Sequence, residues 1–345
     1  MPSAERRTRS KLTLGAALRS AQRRLAAARL AYGHGTTNAR DEAAWLGLHA
    51  LALPFEALGS QLERVVSEAE MHRISALVEA RIQTRKPAAY LTHEAWLGDY
   101  RFYVDERVIV PRSYIAELLR NNVASWVDAP ERIRRALDLC TGSGCLAILL
   151  ALTFAHATVD AADISSDALD VAGRNVADYG LARRVKLHAS DLYSALGKRH
   201  YDVIVANPPY VSDALMRALP PEYRKEPTLA LAGGRDGLDL VRRILARAAH
   251  HLNAGGMLVC EVGHHRDRVE RAFPGMPLVW PPTSGGDDCV FVITREALLA
   301  FQARSARATL EAASPRRPAK HSPARASGAA ARRPRRSAPA SSGSR

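Results

Sequence analysis

Asp138-Leu139-Cys140-Thr141-Gly142-Ser143-Gly144-Cys145 is the stretch whose reading decides the fold. A β-rich run at 136–139 enters it and an apolar helical pattern leaves it, giving strand, tight glycine turn and helix start. Glycine permits such a turn and lets a ligand approach the main chain closely. In open α/β sheets, ligands bind at the carboxyl ends of strands. A Gly-x-Gly pair is also an ordinary strand-to-helix turn. The dinucleotide fingerprint tolerates Ala147 at its third position, so the loop alone leaves a nicotinamide cofactor open.

Working outward, β-rich runs fall at 136–139, 157–163, 185–189, 201–206, 257–262, 278–280 and 289–294. Helical patterns separate most of the early ones, notably at 168–179 and 238–252. Such alternation implies a doubly wound, parallel sheet. The last two runs are too close for a helical crossover and should pair antiparallel. Asp163 ends the second run, nineteen residues after Gly144, near the roughly 20-residue spacing of a ribose-binding acid. A lone Asp there also caps helices, although Ser165 or Ser166 can do that instead.

The fourth run ends in Asn207-Pro208-Pro209-Tyr210. Two prolines remove backbone donors and fix local φ, leaving carbonyl oxygens without competing N–H groups. Asn207 adds a side-chain acceptor and Tyr210 an aromatic wall. Together they form a rigid clamp for a planar –NH₂ group. An amide nitrogen is a poor nucleophile. Acceptors aimed at its protons stabilise the positive charge that develops as it attacks a methyl group, and they align it for in-line displacement.

The order Asp138-Leu139-x-Thr141-Gly142-Ser143-Gly144, Asp163, Asn207-Pro208-Pro209-Tyr210 resembles class I S-adenosylmethionine-dependent methyltransferases acting on planar amino groups. Pro87-Ala88-Ala89-Tyr90-Leu91-Thr92, Val110-Pro111-Arg112 and Glu226-Pro227 through Gly234-Arg235-Asp236-Gly237-Leu238 are similar to the protein glutamine methyltransferases. Phe102-Tyr103-Val104-Asp105-Glu106-Arg107-Val108-Ile109-Val110-Pro111-Arg112-Ser113 is similar to their PrmB type, which modifies ribosomal protein uL3. The resemblance implies a Rossmann-like, seven-stranded, mostly parallel sheet of order 3-2-1-4-5-7-6, with a small N-terminal helical domain. It implies that Cys140, Thr141, Gly142, Ser143 and Gly144 line the methionine part of the cofactor. Asp163 would hold its ribose, Asp191 and Leu192 would flank its adenine, and Asn207 and Tyr210 would bind the substrate glutamine. The implied product is an N(5)-methylated glutamine of uL3. Cys140 stands where many relatives have glycine, and Tyr114 where proline is expected. Alternatives left open are a release-factor glutamine, an adenine of nucleic acid, and a non-catalytic RNA-binding assembly factor. Base flipping would call for a DNA-reading module, and neither a helix-turn-helix nor a zinc module is visible in the sequence.

The remaining sequence sets the organisation. Residues 11–95 read as a helical substrate-recognition domain, with a helix start at Asn38, a capping-box outline at Ser60–Glu63, and helical spacing of Ile74, Leu77, Val78 and Ile82. Residues 96–113 read as a β-hairpin linker, with alternation from 100 to 110 around Asp105-Glu106. A helix should run from Tyr114 towards Trp126 within a methyltransferase domain at 114–296. Of the net charge of +14, the segment 303–345 holds +10, from eleven Lys or Arg and one acid. Its Ala, Pro, Ser and Arg content predicts disorder, and its charge suits contact with rRNA. Cys140, Cys145, Cys260 and Cys289 form no Cys-x-x-Cys pair, so reduced thiols and no bound metal are expected. The paired histidines at 250–251 and 264–265 read as surface residues. No apolar run reaches the roughly 18 residues of a membrane span, and no secretory leader is visible, so a cytoplasmic location is expected.

Overall fold

Thr13, Asn38 and Ser67 each start a helix in the same manner, with a side-chain oxygen accepting an otherwise unpaired backbone N–H. The computed structural model describes residues 12–121, 123, 126, 127 and 129–313. The helices so begun are α1 (Leu14–Ala27), α2 (Ala39–Ala50) and, after the short α3 (Leu58–Gln61), α4 (Glu68–Thr84). The reciprocal capping box is Ser67 with Glu70, not Ser60 with Glu63; Ser60 lies inside α3. Leu14, Leu18, Leu25, Leu46, Ile74 and Val78 close the core among these helices, while Leu77 and Ile82 are only half-buried at its margin. One charged pair enters this region. Arg81 Nε donates to Glu42 Oε1 at 2.8 Å, Thr36 Oγ1 to Glu42 Oε2 at 3.0 Å, and Arg81 Nη2 to the Ala31 carbonyl at 3.1 Å.

After α5 (Ala88–Thr92), β1 (Ala95–Leu97) pairs antiparallel with β2 (Tyr100–Phe102). The hairpin therefore stands earlier than the expected alternation at 100–110. Beyond Phe102 the backbone donors leave the ladder: Tyr103 N goes to Asn175 Oδ1 at 2.8 Å and Val110 N to Glu226 Oε1 at 2.9 Å, while Val108 N closes a turn onto the Asp105 carbonyl at 3.2 Å. Val104, Val108 and Val110 alternate because they are buried against Tyr90 and Val171, not because they pair in a ladder.

From α6 (Tyr114–Asn121) onward the chain winds a six-stranded sheet. Its strands are β3 (Arg135–Leu139), β4 (Thr158–Asp163), β5 (Val185–Ala189), β6 (Tyr201–Ala206), β7 (Leu252–Glu261) and β8 (Val290–Thr294), in the order β5-β4-β3-β6-β7-β8. All neighbours are parallel except β7 and β8. Alternate residues face opposite layers. Ala136, Val203 and Val205 pack with α6, α7 (Cys145–Thr153) and α8 (Ser166–Asp178). After α9 (Asp213–Ala218), α10 (Asp239–His251) and α11 (Arg266–Ala272) cover Leu137, Leu139 and Ile204 on the other face. This is the class I methyltransferase architecture, with its sixth strand reduced. The run at 278–280 makes a single antiparallel bridge, Val279 to Val292, because Pro277, Pro281 and Pro282 remove ladder donors on both sides. α6 ends at Asn121, short of Trp126. The last helix, α12 (Arg295–Ala313), carries the chain as helix through 303–313, the start of the segment expected to be disordered. Ala, Arg, Leu and Glu there are strong helix formers. Residues 314–345 lie outside the described residues.

Candidate active site

Strands β3, β4 and β6 present their carboxyl ends to one cavity of about 670 Å³, within the ordinary range for a small-molecule site. Of the residues expected to act, Cys140, Thr141, Gly142, Ser143, Asp163, Asp191, Leu192, Asn207, Pro208, Pro209 and Tyr210 all line it. Gly144 does not. It caps α7 behind the loop with φ +79°, where an added Cβ would come within 3.1 Å of Ala172 Cβ, so it sets the approach of α7 to α8.

The loop is tied to the strand beside it. Gly142 N donates to Asp163 Oδ2 at 2.9 Å, and Ser165 N to Asp163 Oδ1 at 2.9 Å. Burial raises the Asp163 carboxyl against these donors. Thr141 Oγ1 donates to the wholly buried Asp138 at 2.5 Å; burial pushes that carboxyl up to about 7. Cys140 keeps the left-handed backbone that suits a glycine, φ +60°, and packs against the apolar cluster under α10. Asp191 is half-exposed and pairs with Arg243 at 2.7 Å.

Asn207 to Tyr210 leave β6 under tight constraint. Val211 N donates to the Leu231 carbonyl at 2.9 Å, and Gly233 N to the Val211 carbonyl at 2.8 Å. A Cβ on Gly237 would lie 2.4 Å from the Tyr210 carbonyl oxygen, so only glycine permits this approach. Asn207 Nδ2 makes a long contact, 3.5 Å, with the Arg112 carbonyl. That orientation leaves Oδ1 as the free acceptor. Burial, then the Glu261 carboxylate, raises the Tyr210 phenol far above its ordinary value, so it stays neutral.

Two carboxylates frame the clamp: Glu226, from the resemblance motif at 226–227, and Glu261, a strand-end residue that the sequence leaves open between a substrate contact and a structural role. Glu226 accepts from Arg112 Nη1 and Nη2 at 2.6 Å each and lies 3.4 Å from His34 Nε2. Burial raises its carboxyl, but the Arg112 hydrogen bonds, with His34, hold it down at about 2. Glu261 accepts from Ser113 Oγ at 2.6 Å and from Tyr114 N at 2.9 Å, and sits 3.5 Å from Tyr210 Oη. It therefore caps α6, and burial pushes it up to about 7. Tyr114 can supply that N–H where proline cannot, and its ring closes over Gly285. The resemblance motifs at 110–112 and 226–227 pointed at Arg112 and Glu226 without assigning them a role. No local pattern signals their pairing.

Residues 16–92 match the family model "PrmC N-terminal domain", and residues 118–218 match "Methyltransferase small domain". The ribosomal protein uL3 glutamine methyltransferase of Bordetella pertussis is 57% identical over 286 residues, covering 83% of this chain and 96% of that protein. The one of Neisseria meningitidis serogroup B is 52% identical over 282 residues, covering 82% and 93%. Among solved structures, the hMettl16 catalytic domain in complex with MAT2A 3′UTR hairpin 6 has a TM-score of 0.43 at 18% identity, covering 67% of this chain and 84% of that one.

Proposed function

This chain belongs to the ribosomal protein uL3 glutamine methyltransferases, and from that membership we propose how its residues divide the work of methylating N(5) of a uL3 glutamine. The enzyme uses S-adenosylmethionine, which when bound supplies a methyl carbon made electrophilic by a sulfonium centre. The cavity lining suits that molecule: the Asp163 carboxylate for a ribose diol, apolar Ile164 and Leu192 for a purine face, and a main-chain loop at 140–143 for the amino-acid end. Asp191 flanks the purine in this reading.

Asn207 Oδ1 and the Pro208 carbonyl accept the two protons of the glutamine amide, and Tyr210 walls one face of it. The acceptors stabilise charge developing on nitrogen, worth about 3–4 kcal/mol for one well-placed partner. Arg112 turns the Asn207 amide so that oxygen, not nitrogen, meets the substrate. No strong base is needed, since the proton leaves after transfer. Residues 11–95 are assigned to recognition of uL3, and 96–113 to the link with the transferase region at 114–296. The work is placed in the cytoplasm. Contact of the 303–345 segment with rRNA rests on its charge alone.

The observation that carries this reading is that the Asn207–Tyr210 clamp and the Asp163-anchored glycine loop line one cavity. The test is incubation with labelled S-adenosylmethionine and unmodified uL3 or unmodified release factor, with Asn207→Ala beside the native chain. Label on a uL3 glutamine that disappears in the variant is expected. Label on release factor alone, or label on uL3 undiminished in Asn207→Ala, would overturn the assignment.

A further inference from the structure

The antiparallel register of β7 and β8 pairs Glu261 with Val290, so the strand pair ends there. His264, just past β7, then meets Asp288 and Cys289, just ahead of β8. His264 Nδ1 is 3.1 Å from each Asp288 oxygen and 3.5 Å from Cys289 Sγ, and Cys289 Sγ is 3.3 Å from Asp288 Oδ1. We propose that His264, Asp288 and Cys289 form a zinc(II) site, with water as the fourth ligand.

Geometry is the first support. Zinc bonds of about 2.3 Å to sulfur and 2.0–2.1 Å to nitrogen and oxygen, at tetrahedral angles, separate S from N by about 3.5 Å, S from O by about 3.5 Å and N from O by about 3.3 Å. The three observed separations lie within a few tenths of an ångström of these edges. Hydrogen bonding alone leaves the triangle incomplete. One imidazole N–H and one thiol S–H can each serve the carboxylate, which leaves the Nδ1 to Sγ edge without a proton of its own. A cation between the three engages every edge.

Chemistry and access agree. One thiolate, one imidazole and one carboxylate make a donor set suited to zinc. The Cys289 thiol gives its proton to solvent on binding; imidazole nitrogen and carboxylate oxygen donate lone pairs, and nothing is oxidised or reduced. The two negative ligands then neutralise the dication. Cys289 is fully buried, whereas the Asp288 and His264 side chains are 36% and 62% exposed, so an ion can enter from solvent and still hold a buried anchor. Among the described residues this is the one such cluster with ligand atoms mutually close. Sequence reading missed it because only one histidine of the adjacent pair takes part, and its partners lie more than twenty residues on.

The site is a brace, not a catalyst. The segment carrying Asp288 packs on the active-site side through Gly285 against Tyr114, and through Ser284, whose N–H donates to Glu117 Oε2 at 2.9 Å. A bound ion therefore ties the exit of β7 to the loop that supports the first turn of α6.

The test is cobalt(II) titration of the full, tag-free chain after chelator treatment. One equivalent should give the intense visible absorption of tetrahedral cobalt with a near-ultraviolet thiolate charge-transfer band, both displaced by zinc. Cys289→Ser and the exposed His264→Ala should each lose the thiolate-linked signal while keeping the native circular dichroism and metal-free thermal midpoint. Zinc should raise that midpoint only in the unmodified chain. Weak octahedral spectra, a band that survives Cys289→Ser, or a band lost in Cys140→Ser instead, would overturn the proposal.

Discussion

Arg112 and Glu226, 114 residues apart in sequence, meet side-on through two hydrogen bonds of 2.6 Å. The same carboxylate accepts from Val110 N at 2.9 Å. The strip 110–112 is thereby fixed, and with it the Arg112 carbonyl that touches Asn207. Such bidentate geometry is directional as well as strong. Glu226→Gln keeps the shape and loses the charge. We expect kcat to fall about 10–100-fold with the KM for S-adenosylmethionine unchanged, since a misplacement of about 1 Å is enough for such a loss. Steady-state kinetics with uL3 decide it; an altered cofactor KM with native kcat would contradict the positioning role.

Glu226 and Glu261 should pull stability in opposite directions with pH. Glu226 is held at about 2, below its ordinary 4.5, so its contribution is fully present above 4.5 and lost as pH falls through about 2. Glu261 is raised to about 7, so between 4.5 and 7 the folded protein keeps a proton that the unfolded chain has released, and stability falls as pH rises. Relative to Glu261→Gln, the native chain should lose up to about 3 kcal/mol between pH 4.5 and 7.5. Urea unfolding at several pH values measures the difference; parallel curves would refute it.

Gly237→Ala should damage activity by moving the clamp. Its φ of +84° costs a side-chain-bearing residue about 1–2 kcal/mol, and the new Cβ would press on the Tyr210 carbonyl. A kcat reduced more than about 10-fold is expected, because near-attack geometry tolerates little displacement. Gly59→Ala meets open space and serves as the control with native kinetics.

Arg81→Leu should be the most destabilising of these changes, by about 3–5 kcal/mol, because it strands the buried Glu42 carboxylate. Glu42→Leu added to it should restore part of the loss. Chemical denaturation of both variants gives the comparison, and additive losses would show that the pair is not coupled.

What could be read beforehand was local. The loop at 138–145, Asp163 and Asn207–Tyr210 each declare themselves within a few residues, through backbone demands that only certain side chains meet. Partners distant in sequence were hidden. Glu261 finds Ser113 148 residues away, and nothing around either announces it. Two patterns misled for physical reasons. Alternation at Val104, Val108 and Val110 reflects burial, while a side chain takes the Val110 donor and a turn carbonyl the Val108 donor. The apolar run at 278–280 is starved of ladder donors by its prolines. The helix through 303–313 was obscured by reading composition over the whole basic segment at once.

The fastening of Arg112 by Glu226 also bears on when the enzyme becomes competent during synthesis. Chains emerge from the ribosome amino end first. His34, the 110–112 strip and the clamp at 207–210 are therefore all made before Glu226 and the 231–237 loop that lock them together. Strands β3 to β6 are all translated before that anchor. The fastening of the clamp, like the α10 and α11 cover over Leu137, Leu139 and Ile204, is thus supplied only by chain made after it.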